Sequence, residues 1–250
     1  MDLAGPIWRT IELEIPSRPG YLGKVAGAIG EQGGDIGEVC LLSVNPTTTT
    51  RRIEIQVQDE DQLESIVTAV QNVTGVKLIA VFDEILSAHQ GGKIRTVSKC
   101  PISSLDHLRR VYTPGVANVC RAIQADPGLA KLYTGIGNTV AIVTDGTAIL
   151  GLGDIGPVAG MPVMEGKAAL FSELVGISGV PILLATKDPG EIIETVVKIV
   201  PTFGAVLLED IASPECYRVE DELRARLDIP VLHDDQHGTA VVSLAAVINA

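Results

Sequence analysis

Residues 204–235 read GAVLLEDIASPECYRVEDELRARLDIPVLHDD. The apolar run 204–208 ends on Glu209-Asp210. A charged stretch with helical spacing follows over 219–227, and the apolar run 229–232 ends on His233 and Asp234-Asp235. Apolar strands without polar alternation, joined by a helix, mark a parallel sheet covered on both faces. Working outward, 180–185 is an apolar strand, 189–200 a helix, 167–175 a helix by its spacing, and 239–250 opens another helix. Residues 94–250 are therefore expected to form an α/β layer with a mainly parallel sheet. Within it, 139–144 and 147–152 flank Asp145-Gly146, which predicts a hairpin.

In an open α/β sheet, ligands bind beyond the carboxyl ends of the strands. Glu209, Asp210, Asp234 and Asp235 all follow strand ends and are expected on one edge. Converging carboxylates repel each other unless a cation lies between them, and hard oxygen ligands select Mg²⁺ or Mn²⁺. The alternative is that Asp234 or Asp235 caps the helix that follows. Lys167, in MPVMEGKAALF, is read at the start of a helix, where the dipole opposes its charge. That predicts a lowered pKa and a proton-abstracting role, against the plain alternative of a surface lysine. Tyr112 precedes the helix opened by Thr113-Pro114 and offers either a phenolic acid or a half-buried anchor.

Gly151-x-Gly153-x-x-Gly156 matches a dinucleotide loop weakly. The strand before it is read as a hairpin arm and no helix is expected to open at Pro157, so that role is rejected and Asp154 is left to face the site. His233 and His237 flank the second acidic pair without HExxH spacing and are read as supporting residues. Cys120 and Cys216 lack the signature of a thiol nucleophile.

Ahead of a polar, glycine-rich linker at 89–93 the pattern changes. Residues 7–15 alternate as a half-buried strand, 22–29 carry a helical stripe, and 35–44 and 51–57 are strands around the turn Asn45-Pro46. A second helical stripe over 63–70 and a last strand over 76–85 complete a βαββαβ order. Pro19-Gly20 opens the first helix and leaves its amide groups open to an anion.

The 250-residue chain is 46% hydrophobic with only 3% aromatics, so Val, Ile, Leu and Ala must build its cores. A net charge of −12 argues against nucleic acid and anionic membranes as partners. No run approaches the roughly 18 apolar residues of a membrane span, and the N-terminus lacks a signal-peptide pattern. Four scattered cysteines suit reduced thiols, and the expected location is cytoplasmic.

The run PSRPGYLGKVAGAIGEQGGDI, residues 16–36, resembles an ACT domain. The resemblance implies a regulatory domain over 1–88 that binds a small effector near the first strand–helix turn. Asp35 stands where many such domains have Asn, a departure that counts against an amino acid as effector. YTPGVA, DGTAILGLGDIG, MPVMEGKAALF, LEDI and HDDQHGTA, in this order over 94–250, resemble the bacterial malic enzymes.

The second resemblance implies oxidative decarboxylation of L-malate to pyruvate with NAD or NADP and Mg²⁺ or Mn²⁺. It implies Tyr112 as general acid, Lys167 as general base, Asp234 as partner to Lys167, and Glu209, Asp210 and Asp235 as metal ligands. Ala148 stands where animal-type members carry an Arg that grips malate. The family's nucleotide-binding domain is expected beyond Ala250, so this chain by itself is expected not to reduce NAD with malate. A homodimer is the default assembly. Two other readings stay open: a malolactic enzyme, and a non-catalytic effector-binding module with an assembly domain.

Overall fold

The computed structural model describes residues 7–149 and 151–250, and the chain divides between Gly91 and Gly92 into two compact units. In the first, β1 (Ile7–Pro16), β2 (Asp35–Val44), β3 (Thr48–Val57) and β4 (Lys77–Phe82) form an antiparallel sheet in the order β2-β3-β1-β4. Strands β1 and β3 pair over their whole length, from Ile7 opposite Val57 to Pro16 opposite Thr48. Helices α1 (Tyr21–Glu31) and α2 (Glu60–Gln71) cover one face. Alternation puts Ile11, Leu13 and Ile15 on the same face as Ile53, Ile55 and Val57, where they meet Val25, Ile29, Ile66 and Val70 of the helices. The βαββαβ order holds. The last strand is shorter than its apolar pattern suggests, because Asp83 accepts the Leu86 N–H and starts a short helix, α3 (Glu84–His89).

The second unit begins with three short helices, α4 (Leu105–Val111), α5 (Val116–Ala125) and α6 (Ala130–Tyr133), in which no residue is buried. Then come β5 (Thr139–Thr144), α7 (Pro157–Leu170), β6 (Ser178–Leu183), α8 (Pro189–Ile199), β7 (Ala205–Leu208), α9 (Glu215–Arg226), β8 (Val231–His233) and α10 (Thr239–Asn249). The four strands are parallel, in the order β6-β5-β7-β8. Ala141 and Val143 join Val206 and Leu208 in a core with α8 and α9. Ile142 and Leu207 point the other way, onto Met164 and Ala168 of α7. Both faces of β5 are buried, which is why its sequence shows no alternation.

Among the described residues the expected hairpin is absent. β5 has parallel partners on both sides, so no edge is left for an antiparallel arm. Among the described residues of 147–153 the pairing is one isolated bridge, Ile149 to Gly153; Leu150, within the expected arm, lies outside the described residues. The reasons for setting aside the glycine loop fail with it. α7 opens at Pro157 directly after Gly156, and β5, the loop and α7 lead into β6 as a βαβ unit. The loop still departs from the dinucleotide fingerprint, because Asp145 to Leu150 separate the strand end from the first glycine.

Candidate active site

Strands β7 and β8 end side by side, with Leu208 paired to His233. The residues that follow each strand therefore emerge together at the carboxyl edge of the sheet. Glu209 is 5% exposed, and Asp210 is buried beside it. Asp234 and Asp235 open a π-helical turn, Asp234–Gly238, that runs into α10, and neither side chain caps it. Asp234 Oδ2 instead accepts from Lys167 Nζ at 2.6 Å, and Asp235 Oδ2 accepts the backbone N–H of Asp210 at 2.9 Å. Lys167 Nζ also lies 3.1 Å from Glu209 Oε1, so one ammonium joins both strand ends.

Lys167 reaches this position differently from its expected placement. Its helix starts ten residues earlier than the glycine-rich sequence suggests, so Lys167 falls in the last turn, where the dipole favours a cation. Burial works to lower its pKa, but Asp234 and Glu209 outweigh it and hold the amine above its ordinary value. The expected lowering is thus reversed. Burial pushes Glu209 up to about 7, against the pull of Lys167. Its Oε2 is buried with no hydrogen-bond partner among the described residues.

This orphaned oxygen, on the residue next to Asp210 and on the strand edge that also carries Asp235, suits a hard cation. Among the described residues no three His, Cys, Asp or Glu side chains are already drawn together as a metal cage. The nearest cation to Glu209 and Asp234 is the lysine itself.

Tyr112 follows α4, is 66% exposed, and has no hydrogen bond to the Lys167 cluster among the described residues. Asp154 pairs with Lys187 on the surface rather than with Lys167. His233 is 1% exposed; burial lowers its pKa while Asp235 and Glu220 pull it up. Sequence reading passed over Glu220. It is buried, accepts from His237 Nε2 at 3.0 Å and from the His233 N–H at 3.3 Å, and so ties α9 to the HDDQH turn. The signal was available: Cys216, Val219, Glu220 and Leu223 recur at helical spacing and form the buried stripe of α9.

Residues 91–224 match the family of the malic enzyme, N-terminal domain. The chain belongs to the malic enzyme family. Residues 9–80 match the ACT domain, in agreement with the βαββαβ unit. The NAD-dependent malic enzyme 1 of Bacillus subtilis is 63% identical over 97% of this chain and 55% of its own length. The NAD-dependent malic enzyme of Geobacillus stearothermophilus is 51% identical over 96% of this chain and 50% of its own. A crystal structure of malic enzyme from Pyrococcus horikoshii superposes with a TM-score of 0.65 at 49% identity, covering 66% of this chain and 40% of that one. The chain thus spans about half the length of the curated malic enzymes it matches.

Proposed function

We propose that this chain carries the regulatory part and the substrate- and metal-binding part of a cytoplasmic, homodimeric enzyme. That enzyme converts L-malate to pyruvate and CO₂ with NAD or NADP. The observation that carries the reading is the convergence of Lys167, Asp234 and Glu209 on one strand edge, with Asp235 bonded to the Asp210 backbone. Glu209, Asp210 and Asp235 are the residues that would hold Mg²⁺ or Mn²⁺. Bound there, the cation would supply charge neutralisation for the substrate's oxygens, and the nicotinamide would supply the hydride acceptor.

The chain's own residues handle the protons. Lys167 takes the proton of the malate hydroxyl as hydride leaves C2. Asp234 keeps the amine in place through its 2.6 Å bond. In the metal-free chain two carboxylates hold the Lys167 proton. Were Glu209 to hold a cation, one of them would be withdrawn, which would ease the lysine toward the neutral form a base requires. After CO₂ leaves, Tyr112 delivers a proton to C3 of the enol; its exposed position requires that it close on the substrate. The exposed apolar side chains of α4 to α6, Leu105 and Leu132 among them, support pairing of two copies.

The first unit, residues 1–88 by its sequence pattern, is the effector-binding part. A cavity of about 380 Å³ opens at its first strand–helix turn, lined by Arg18, Gly20, Thr49 and Arg51 and by no acidic residue. Gly20 takes φ 86° at the start of α1, and no side chain caps that helix. Two cations and an uncapped N-terminus favour an anionic effector.

Calorimetric titration of the chain with Mn²⁺, then with malate, tests the reading. Mn²⁺ is expected to bind and to strengthen malate binding. Asp235→Ala and Glu209→Ala should each weaken Mn²⁺ by about tenfold or more, in line with the loss of a metal ligand or its support. Unchanged Mn²⁺ affinity in both variants would refute the site.

A further inference from the structure

Asp145 is a buried carboxylate, 3% exposed, that no step above uses. It lies just past β5, and its Oδ1 accepts two hydrogen bonds from Thr147, one from the hydroxyl at 2.6 Å and one from the backbone N–H at 3.1 Å. With its proton committed to Asp145, the Thr147 hydroxyl offers its oxygen to the backbone N–H of Ala212, 2.8 Å away. The next residue, Ala148, gives its N–H to the Asp210 carbonyl at 3.0 Å. The segment 210–212 is therefore stitched at both ends to the turn 145–148.

Asp210 needs that support. At φ 54° it is the only non-glycine residue with a positive φ among the described residues. An aspartate enters the left-handed region more readily than most residues with a Cβ, but still at a cost that surrounding bonds must offset. A simple turn closing β5 would need only the bond from the Thr147 N–H to Asp145. The Thr147–Ala212 bond reaches 65 residues along the chain, and a local turn does not explain it. On its other side, the turn meets the start of the lysine helix. The Gly146 carbonyl accepts the Gly156 N–H at 3.1 Å, and a Cβ on Gly146 would lie 2.3 Å from the Gly156 carbonyl carbon. The turn thus touches both the Asp210 segment and the helix that carries Lys167.

We infer that Asp145 and Thr147 are positioning residues that hold Asp210 in its left-handed conformation and so set the geometry of its carboxyl toward a divalent cation. This rests on the proposed role of Asp210 as a metal ligand. The test uses the whole 250-residue chain. Amide exchange at Ile211 and Ala212 is followed without metal, and Mn²⁺ affinity is measured by calorimetry, for Thr147→Val, Thr147→Ser and Asp210→Asn. Ile192→Val serves as a control for general loss of stability. Thr147→Val is expected to speed exchange at Ala212 and to weaken Mn²⁺ about tenfold, the effect typical of removing a group that orients a metal ligand. Thr147→Ser, which keeps the hydroxyl, should restore both, and Ile192→Val should change neither.

If Asp210→Asn weakens Mn²⁺ while Thr147→Val binds it like the unaltered chain, the positioning role is wrong. If Asp210→Asn leaves Mn²⁺ affinity unchanged, the ligand role of Asp210 is wrong. The exchange rates then decide by themselves whether Thr147 holds the segment: unaltered exchange at Ala212 in Thr147→Val overturns the proposal, and faster exchange sustains the holding role.

Discussion

Glu209 and His233 lie at the ends of neighbouring strands, and burial moves them in opposite directions. Burial raises Glu209 from 4.5 to about 7, with Lys167 opposing. A carboxyl with a raised folded pKa binds its proton more tightly in the folded state. Its contribution is complete below pH 4.5 and is lost as pH climbs through about 7. Burial lowers His233 from 6.5, so its contribution is present above pH 6.5 and is lost as pH falls through its lowered folded value. Between about pH 4.5 and 6.5 the two contributions run in opposite directions and offset each other, so thermal melts of the metal-free chain should show little net slope there. Glu209→Gln removes the Glu209 contribution and is expected to leave stability rising with pH up to about 6.5; a profile parallel to that of the unaltered chain would contradict the assignment. At this scale the sequence marks the acidic pairs by their place after apolar strands. It does not show that Asp235 would spend an oxygen on the Asp210 N–H, because that bond spans 25 residues and depends on strand register.

Helix starts were the least legible elements. Asp188 before Pro189 is a clear signal, and its side chain accepts the Glu191 N–H at 2.8 Å to cap α8. Asp188→Ala should cost about 1 kcal/mol, read from urea unfolding monitored by circular dichroism. Gly156-Pro157 before α7 carries no capping side chain, and Pro162 lies inside the helix. Glycine and proline read there as loop residues, because local propensity cannot register the support of Met164 and Ala168 packing under β5. Burial against the sheet outweighed propensity, moved the helix start to Pro157, and put Lys167 at the opposite end of its dipole. The Asp145-Gly146 turn misled for a related reason. It has hairpin chemistry, but the edges of β5 were already taken.

Among the described residues, each apolar cluster draws its members from one unit: Ile66 belongs to the first, Ile192 to the second. Both side chains are fully buried. Ile66→Ala and Ile192→Ala should each cost about 2–5 kcal/mol in the unit that holds the cavity. In a calorimetric scan each is expected to lower a different transition. If either substitution shifted both transitions equally, the two cores would not be energetically separate. The change from an alternating pattern before the glycine-rich linker to continuous apolar strands after it announced two architectures, because an antiparallel sheet with one covered face and a parallel sheet with two leave different periodicities.

By itself the sequence determined the βαββαβ order of the first unit, the parallel strands alternating with helices in the second, and the acidic residues at the ends of β7 and β8, since these follow from periodicity and from chain direction in a parallel sheet. Tertiary structure alone decided the rest. Packing of α7 on the sheet, together with the register of β7 and β8, brought Lys167 to both Asp234 and Glu209 and turned its pKa upward rather than down. The register of β5 with β7 bound Thr147 to Ala212 beside a left-handed Asp210. The physical reason is range: hydrogen bonds and ion pairs between residues tens of positions apart exist only once packing has set the strands side by side, and no local pattern records them.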